Sequence, residues 1–489
     1  MASLKCNTEL ELLSASVSIG QNSLRPTTPA WSSRYASVKK LSPASATIAP
    51  GFFSFAGEPE PTYLPPGWSA CQHPEGQTYF AYESTPKIVT ADYIYSPEIQ
   101  KKILHYVAVV KKELCEKAIS LPATAELFLH LDDETDLCEY YFVDHAPRTC
   151  FWLEKLDTDD LGLSEVVSDA HLRMMLEHLY WTHLEQFPSH RIDQIRLDLD
   201  ELIDIFINGQ GDQMTGNNST FPYGTDECKR FLRLLTAARE RKPSSYTTWL
   251  ISRLWGTIWF GRFHGFYGER YARLSREQTV RDFPEGHRGW FFASCSPLLF
   301  RIPDAYLEHL NSLWIDRQVY GRLWCQFISG CCDEWKLYST WTLILLAINI
   351  LLLITPGTSR LIASISMLLC DLALLFAAAL LVQHHRSADW TAAEASVFLE
   401  GVQRETTGFQ QTALSFSIPK AFFLLALGVA STQGLFWIHH ATNVYVTGSV
   451  VLFLVVLAMF TGLLSLRGPM WLRRILRRCR SKTSDECEV

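Results

Sequence analysis

Four apolar stretches in the last third of the chain constrain it most: Tyr338 to Thr355, Leu361 to Val382, Ala421 to Ile438 and Val444 to Leu466. A helix rising about 1.5 Å per residue needs roughly 17 to 25 residues to cross a ~30 Å hydrocarbon layer, and each stretch is that long. Backbone amides in lipid have no water to bond, so such runs must be helical and carry their own hydrogen bonds. The sequence therefore predicts a multi-pass membrane protein with the lipid bilayer as its first partner.

The stretches pair into two hairpins, turning at Pro356–Arg360 and at His439–Asn443, which puts both short turns on one side. The other side carries Lys336, Arg386, Lys420 and a cluster from Arg467 to Arg480. By the positive-inside rule that side is cytosolic. Four crossings then leave both termini, and everything from Met1 to Trp335, in the cytosol.

Hydrophobic residues make up 48% of the 489, enough for a folded core beside the membrane helices. A formal net charge of −7 argues against a nucleic-acid partner, and the basic residues gather near the membrane instead. Thirteen cysteines are an odd number at scattered spacing, which reads as reduced thiols rather than a disulfide framework. Cys331 and Cys332, just before the first span, and Cys479, in the basic tail, sit where S-palmitoylation occurs; unmodified thiols are the plainer reading. Residues 1–62 are rich in Ser, Thr, Pro and Ala and are expected to be a disordered tail with no cleaved signal peptide.

Leu64-Pro65-Pro66-Gly67-Trp68, followed by Pro74-Glu75-Gly76 and Tyr79-Phe80, resembles the first two strands of a WW domain. Thr90 stands where that family places its second, ligand-stacking Trp. A helix follows, with Ser96 as N-cap, Pro97 in the first turn and Ile99, Ile103, Val107, Val110 and Leu114 on one face. Tyr141 to Trp152 then resembles the second WW hairpin, including Asp144-His145 in the turn and the closing Trp. Its first strand, Glu126 to Leu131, lacks the usual Trp. The resemblance covers about a sixth of the chain and implies two degenerate WW-like modules in a WW-containing multi-span membrane protein of the kind found in fungi. It further implies that Tyr141 and Trp152 wall a proline groove, with Val143 and His145 shaping the neighbouring pocket, and that the partner is a proline-rich protein. Cys150 replaces the family's usual groove Thr. The competing reading buries both aromatics as architecture.

From Ser164 to Gly330 the pattern is helical. Ser168 caps a helix striped with Leu172, Met175, Leu176, Leu179 and Leu184, ended by Pro188. The next carries Ile192, Ile195, Leu199, Leu202 and Phe206 and is expected to stop at Asn208-Gly209, before a polar loop to Gly224. Thr225 opens a helix with Phe231, Leu232 and Leu235 inside. Trp249 to Tyr271 is rich in aromatics but interrupted by Arg253 and Arg262, so it belongs in a core or at the membrane interface, the core being favoured. Pro303 to Ser329 reads as one long helix. Between the second and third spans, Thr391 and Glu394 form a capping box ahead of an apolar stripe, Ala395, Phe398, Leu399 and Val402.

No Gly-rich phosphate loop, Gly-x-Ser-x-Gly elbow or His-Glu-x-x-His motif occurs, so the sequence offers no catalytic residue, cofactor or metal. Asp132, Asp133, Glu134 and Asp136 read as charges of a solvated turn. Asp198, Asp200 and Glu201 are expected on the outer side of a helix. Asp371 lies mid-span, where a carboxylate is costly and needs a partner; Asn349 and Gln433 are the polar residues expected to join it. The fold class is thus mainly α, with small antiparallel WW-like β meanders, a cytosolic helical domain and a C-terminal four-helix transmembrane bundle. The expected boundaries are 1–62 tail, 63–93 first WW-like module, 94–122 linking helix, 123–160 second module, 161–335 helical domain, 336–466 spans with a helical loop near 387–418, and 467–489 basic tail. Two functions follow: a membrane-anchored interaction or scaffolding protein, or a multi-pass transporter or membrane enzyme with a polar site at Asp371.

Overall fold

The computed structural model describes residues 24–30, 45, 50, 64–132, 137–190, 196–216, 218–281, 286–442 and 444–453. The chain divides into two compact units, Met1–Arg276 and Glu277–Val489.

Among the described residues of the first unit, seven strands join one mixed sheet. They are β1 (Leu24–Pro26), β2 (Trp68–Gln72), β3 (Thr78–Tyr82), β4 (Lys87–Thr90), β5 (Ala125–Leu131), β6 (Cys138–Asp144) and β7 (Thr149–Phe151), in the order β1-β6-β5-β4-β3-β2 with β7 also on β6. The two expected meanders are therefore not separate modules. Strands β4 and β5 pair in parallel, Ile88 beside Leu127, and a parallel pair cannot be closed by a tight turn. Helix α1 (Pro97–Glu116) makes the crossover.

Both faces of this sheet are covered, which is why β5 and β6 read as almost continuous apolar runs. Trp68, Phe80, Ile88, Leu127, Leu129, Tyr140 and Phe142 point to one side, where Ile103, Tyr106, Val107, Val110 and Leu114 of α1 meet them. Tyr79, Val89, Phe128, Tyr141, Val143 and Cys150 point to the other. There they pack on α2 (Asp169–Gln186), α3 (Arg196–Thr215), α4 (Thr225–Arg239) and α5 (Ser245–His264). Ser168 caps α2 as expected, its side chain accepting from the His171 amide. Part of the aromatic stretch on and after α5 lies in this core, Trp255 stacking on Trp181 with ring centroids 5.5 Å apart, while Phe260, Tyr267 and Tyr271 are exposed.

Three expectations change in this unit. Part of the expected tail is ordered: β1 runs parallel to β6, and Thr27 and Pro29 accept from Trp152 Nε1 at 2.8 Å and Gln186 Nε2 at 2.6 Å. Helix α3 does not stop at Asn208-Gly209 but continues to Thr215, and a Cβ on Gly209 would lie 2.5 Å from the Phe221 ring. Glycine is there for close packing rather than termination. Asp198 is buried at 8% exposure and pairs with Arg148, so it does not face solvent. Ile192 and Ile195 lie outside the described residues, as do Asp133, Glu134 and Asp136.

The second unit contains α6 (Trp290–Leu298), α7 (Ile302–Leu313), α8 (Gly321–Ile354), α9 (Arg360–His384), α10 (Ala392–Val402), α11 (Gln410–Ala441) and α12 (Val444–Phe453). Among the described residues three helices, α8, α9 and α11, are long and apolar enough to cross a membrane. The rest of the fourth expected span, and the basic tail with Cys479, lie outside the described residues. The long helix expected from Pro303 to Ser329 is broken between α7 and α8, where Asp316 and Arg317 take left-handed backbone angles of 54° and 59°. The boundary at Arg276 also divides the expected 161–335 domain: its first part packs on the sheet and the remainder belongs with the apolar helices.

Where the three helices meet, small residues allow close approach: Ala363, Ala373, Ala377, Ala421, Ala426 and Ala430 are all buried. Beside them lies a core of the kind found in water-soluble domains. Trp324 stacks on Trp390 at 5.8 Å and donates to the Ser387 carbonyl at 2.7 Å, while Trp335 donates to the Phe416 carbonyl at 3.1 Å. Helix α10 joins this core through Ala395 and Leu399, both at 0% exposure, and its Thr391–Glu394 capping box forms as expected.

Candidate functional site

On the α2–α5 side of the sheet, a charged residue interrupts β5 between Ala125 and Leu127. Glu126 is 1% exposed, and the alternation of the strand points it with Phe128 toward α2. Three imidazoles converge on its carboxylate. His145, just past the end of β6, places Nε2 3.2 Å from Oε2. His190, in the segment after α2, places Nε2 2.9 Å from Oε1. His183, on α2, places Nε2 3.3 Å from Oε1, where this fully buried nitrogen faces the carboxylate without a well-aligned hydrogen bond.

The other nitrogen of each ring meets a tyrosine hydroxyl. His145 Nδ1 lies 3.3 Å from Tyr180, His183 Nδ1 3.0 Å from Tyr141, and His190 Nδ1 3.1 Å from Tyr79. A phenol both donates and accepts, so these contacts suit either tautomer of each histidine. The arrangement can accordingly hold protons between nitrogen and carboxylate, or present bare Nε2 lone pairs with Nδ1–H donating to tyrosine. Tyr79 is itself fixed by the Ser189 amide, which donates to its oxygen at 2.7 Å.

Burial by itself would raise the Glu126 carboxyl, but the His190 charge and the nitrogens of His145, His183 and His190 outweigh it and hold the group well below the usual carboxylate range. Burial acts in the opposite direction on His183 and, against the pull of Glu126, brings it down to about 4. Glu126 is therefore ionised and His183 neutral at pH 7. The ligand-capable atoms of Glu126, His145 and His183 all lie within 4.8 Å of one another.

Two other histidines on α2, His171 buried and His178 half-buried, show the ordinary structural use of the residue. His171 Nε2 lies 2.8 Å from the Phe263 carbonyl and His178 Nδ1 2.9 Å from the Gly256 carbonyl, pinning α2 to α5. His183 differs in having a nitrogen aimed into a polar cluster without such an acceptor.

Of the residues suggested by the WW resemblance, His145 enters this cluster beside Glu126, and Tyr141 joins it through its hydroxyl on His183. Tyr141 and Val143 are 0% exposed; the Tyr141 ring is stacked on Phe128 at 4.6 Å. Trp152 is half-buried, tied to Thr27 by its indole N–H. A proline groove needs two open aromatic walls, and Tyr141 has no open face. Sequence reasoning missed Glu126 and His183. The usable signal was a carboxylate inside an apolar strand and a histidine one turn after Leu179 on the buried stripe, but 57 positions separate the two and no spacing motif links them.

In the second unit the expected polar residues come apart. Asn349 is fully buried, donating from Nδ2 to Ser366 Oγ at 2.9 Å, and Ser366 donates to the Ala426 carbonyl at 2.9 Å. This ties α8, α9 and α11 together. Gln433 is buried on α11, whereas Asp371 lies on an exposed face of α9. Cys331 is buried at 4% exposure in the Trp324–Trp335 core; Cys332 is half-buried, its thiol 3.8 Å from the His384 carbonyl oxygen.

No family model, curated protein or solved structure matches the chain.

Proposed function

We propose that the chain is a multi-pass, membrane-anchored interaction protein whose N-terminal α/β unit recruits a partner to the bilayer. The observation that carries this reading is the presence, in one chain, of three helices able to cross a membrane and a separate folded unit with two-sided burial of its sheet. On this reading Val444–Leu466 supplies a fourth crossing, the basic residues place both termini in the cytosol, and the α/β unit faces the inner leaflet.

A proline-rich partner remains the favoured class, met by a different surface from the one the WW resemblance implies. Flat exposed aromatics are what polyproline stacks on. Around the end of α5, Phe260, Tyr267 and Tyr271 are 46%, 59% and 47% exposed, and Arg262 lies 4.9 Å from the Tyr267 ring. Asp371, outside the Asn349–Ser366 tie, lends no support to a transport path.

The test is a proline-rich peptide array probed with the detergent-purified full-length chain. Binding is expected that falls at least about ten-fold with Phe260→Ala plus Tyr267→Ala, a loss of ~1.4 kcal/mol, and persists with Trp152→Ala. An array without binding, or binding abolished only by Trp152→Ala, contradicts this surface.

A further inference from the structure

We propose that Glu126, His145 and His183 bind one divalent transition-metal ion of the zinc class. Nitrogen and carboxylate donors together suit such borderline ions, whereas calcium and magnesium take all-oxygen shells. The spacing agrees. Zinc bonds to these donors are about 2.0–2.2 Å, so neighbouring atoms of a tetrahedral shell lie roughly 3.3–3.5 Å apart. His145 lies 3.2 Å from Oε2 and His183 3.3 Å from Oε1, so the two carboxylate oxygens together can serve both nitrogens, and one donor atom from each residue falls within 4.8 Å of the others.

Two further features point to a ligand rather than to a self-contained hydrogen-bond network. His183 is completely buried, yet its Nε2 aims at the carboxylate without forming a well-aligned hydrogen bond. A buried polar nitrogen left without a well-aligned partner is costly unless something binds it. The ring contacts also have the form of an outer shell around a metal: a coordinating histidine uses its other N–H to fix its orientation, and Tyr141 and Tyr180 stand where His183 and His145 need those acceptors. His190 acts as a positioning residue, holding Oε1 from 2.9 Å while anchored on Tyr79.

The donors lie on β5, past β6 and on α2, so an ion here fastens the sheet to its helical layer. The burial of all three donors, at 8% exposure or less, favours a structural role over an open site for substrate.

The test uses untagged full-length chain purified in detergent without chelator. Elemental mass spectrometry is expected to find about one zinc per chain. Dialysis against 1,10-phenanthroline is expected to remove it and lower the melting temperature, and Zn²⁺ alone to restore both. Co²⁺ in its place is expected to give the visible d–d bands of a site with nitrogen and oxygen donors. His183→Gln, with His145→Gln as the second variant, is expected to weaken retention more than about 100-fold, and His190→Ala about 10–100-fold. His171→Gln, outside the cluster, leaves retention unchanged. Should the ligand variants fail to fold, the cobalt spectrum and the zinc-dependent melt of the wild-type chain decide. A wild-type chain without stoichiometric metal, without cobalt bands and with a melt indifferent to Zn²⁺ overturns the proposal. So does a folded His183→Gln chain that keeps its metal.

Discussion

Glu126 governs its neighbourhood because a buried carboxylate must be compensated where it stands, and the groups gathered there are imidazoles rather than an aliphatic core. Taking the charge away leaves three inward-facing rings, two of them buried, arranged around nothing. Glu126→Ala is expected to cost about 3–5 kcal/mol, read as a lower melting temperature of the detergent-purified chain. Glu177 shows the reverse balance. Burial pushes its carboxyl up to about 7, although Arg148, 3.9 Å away, pulls it down. A carboxyl raised on folding contributes its full stability below the ordinary value of 4.5, and that contribution is lost as pH rises through 7. Glu177→Gln should therefore melt like the wild type near pH 4.5 and exceed it at pH 8 by about 1–3 kcal/mol. A variant that gains nothing at pH 8 contradicts the buried charge. At this scale little is legible in the sequence: Asp198 reads as solvent-facing and Glu126 is hidden in an apolar run, since both owe their state to residues distant along the chain.

Elements are legible where their causes are local. The Ser168 cap, the Thr391–Glu394 capping box, the α1 stripe and the apolar helices α8, α9 and α11 follow from spacing within a few turns, and all appear. Pairing of strands is not local. Two hairpins resembling WW meanders form one mixed sheet because α1 carries the chain back to a parallel partner, and the same aromatics that would wall a groove become core. Their placement has a consequence for β1. Trp152→Phe keeps an aromatic ring but removes the N–H donated to Thr27, and should cost about 1 kcal/mol, with faster amide exchange at residues 24–27. Within the apolar helices, Asn349→Ala removes the donor to Ser366 and should lower the melting temperature in detergent by the equivalent of about 0.6–2 kcal/mol. An unchanged melt would mean that the alanine-lined contacts hold α8, α9 and α11 without it.

For the molecule as a whole, the membrane character is legible because a run of about twenty apolar residues matches the thickness of a bilayer and exceeds what a soluble core needs from one helix. The boundary at Arg276 is not legible, since it is set by what the helices on either side of it pack against. Recruitment to the bilayer requires that α8, α9 and α11 reside in lipid, with the α/β unit carried on the same chain. Alkaline carbonate extraction of native membranes tests this most directly. The full-length chain is expected to stay in the membrane pellet and to leave it only with detergent; release into the carbonate supernatant would contradict the anchor and the recruitment built on it.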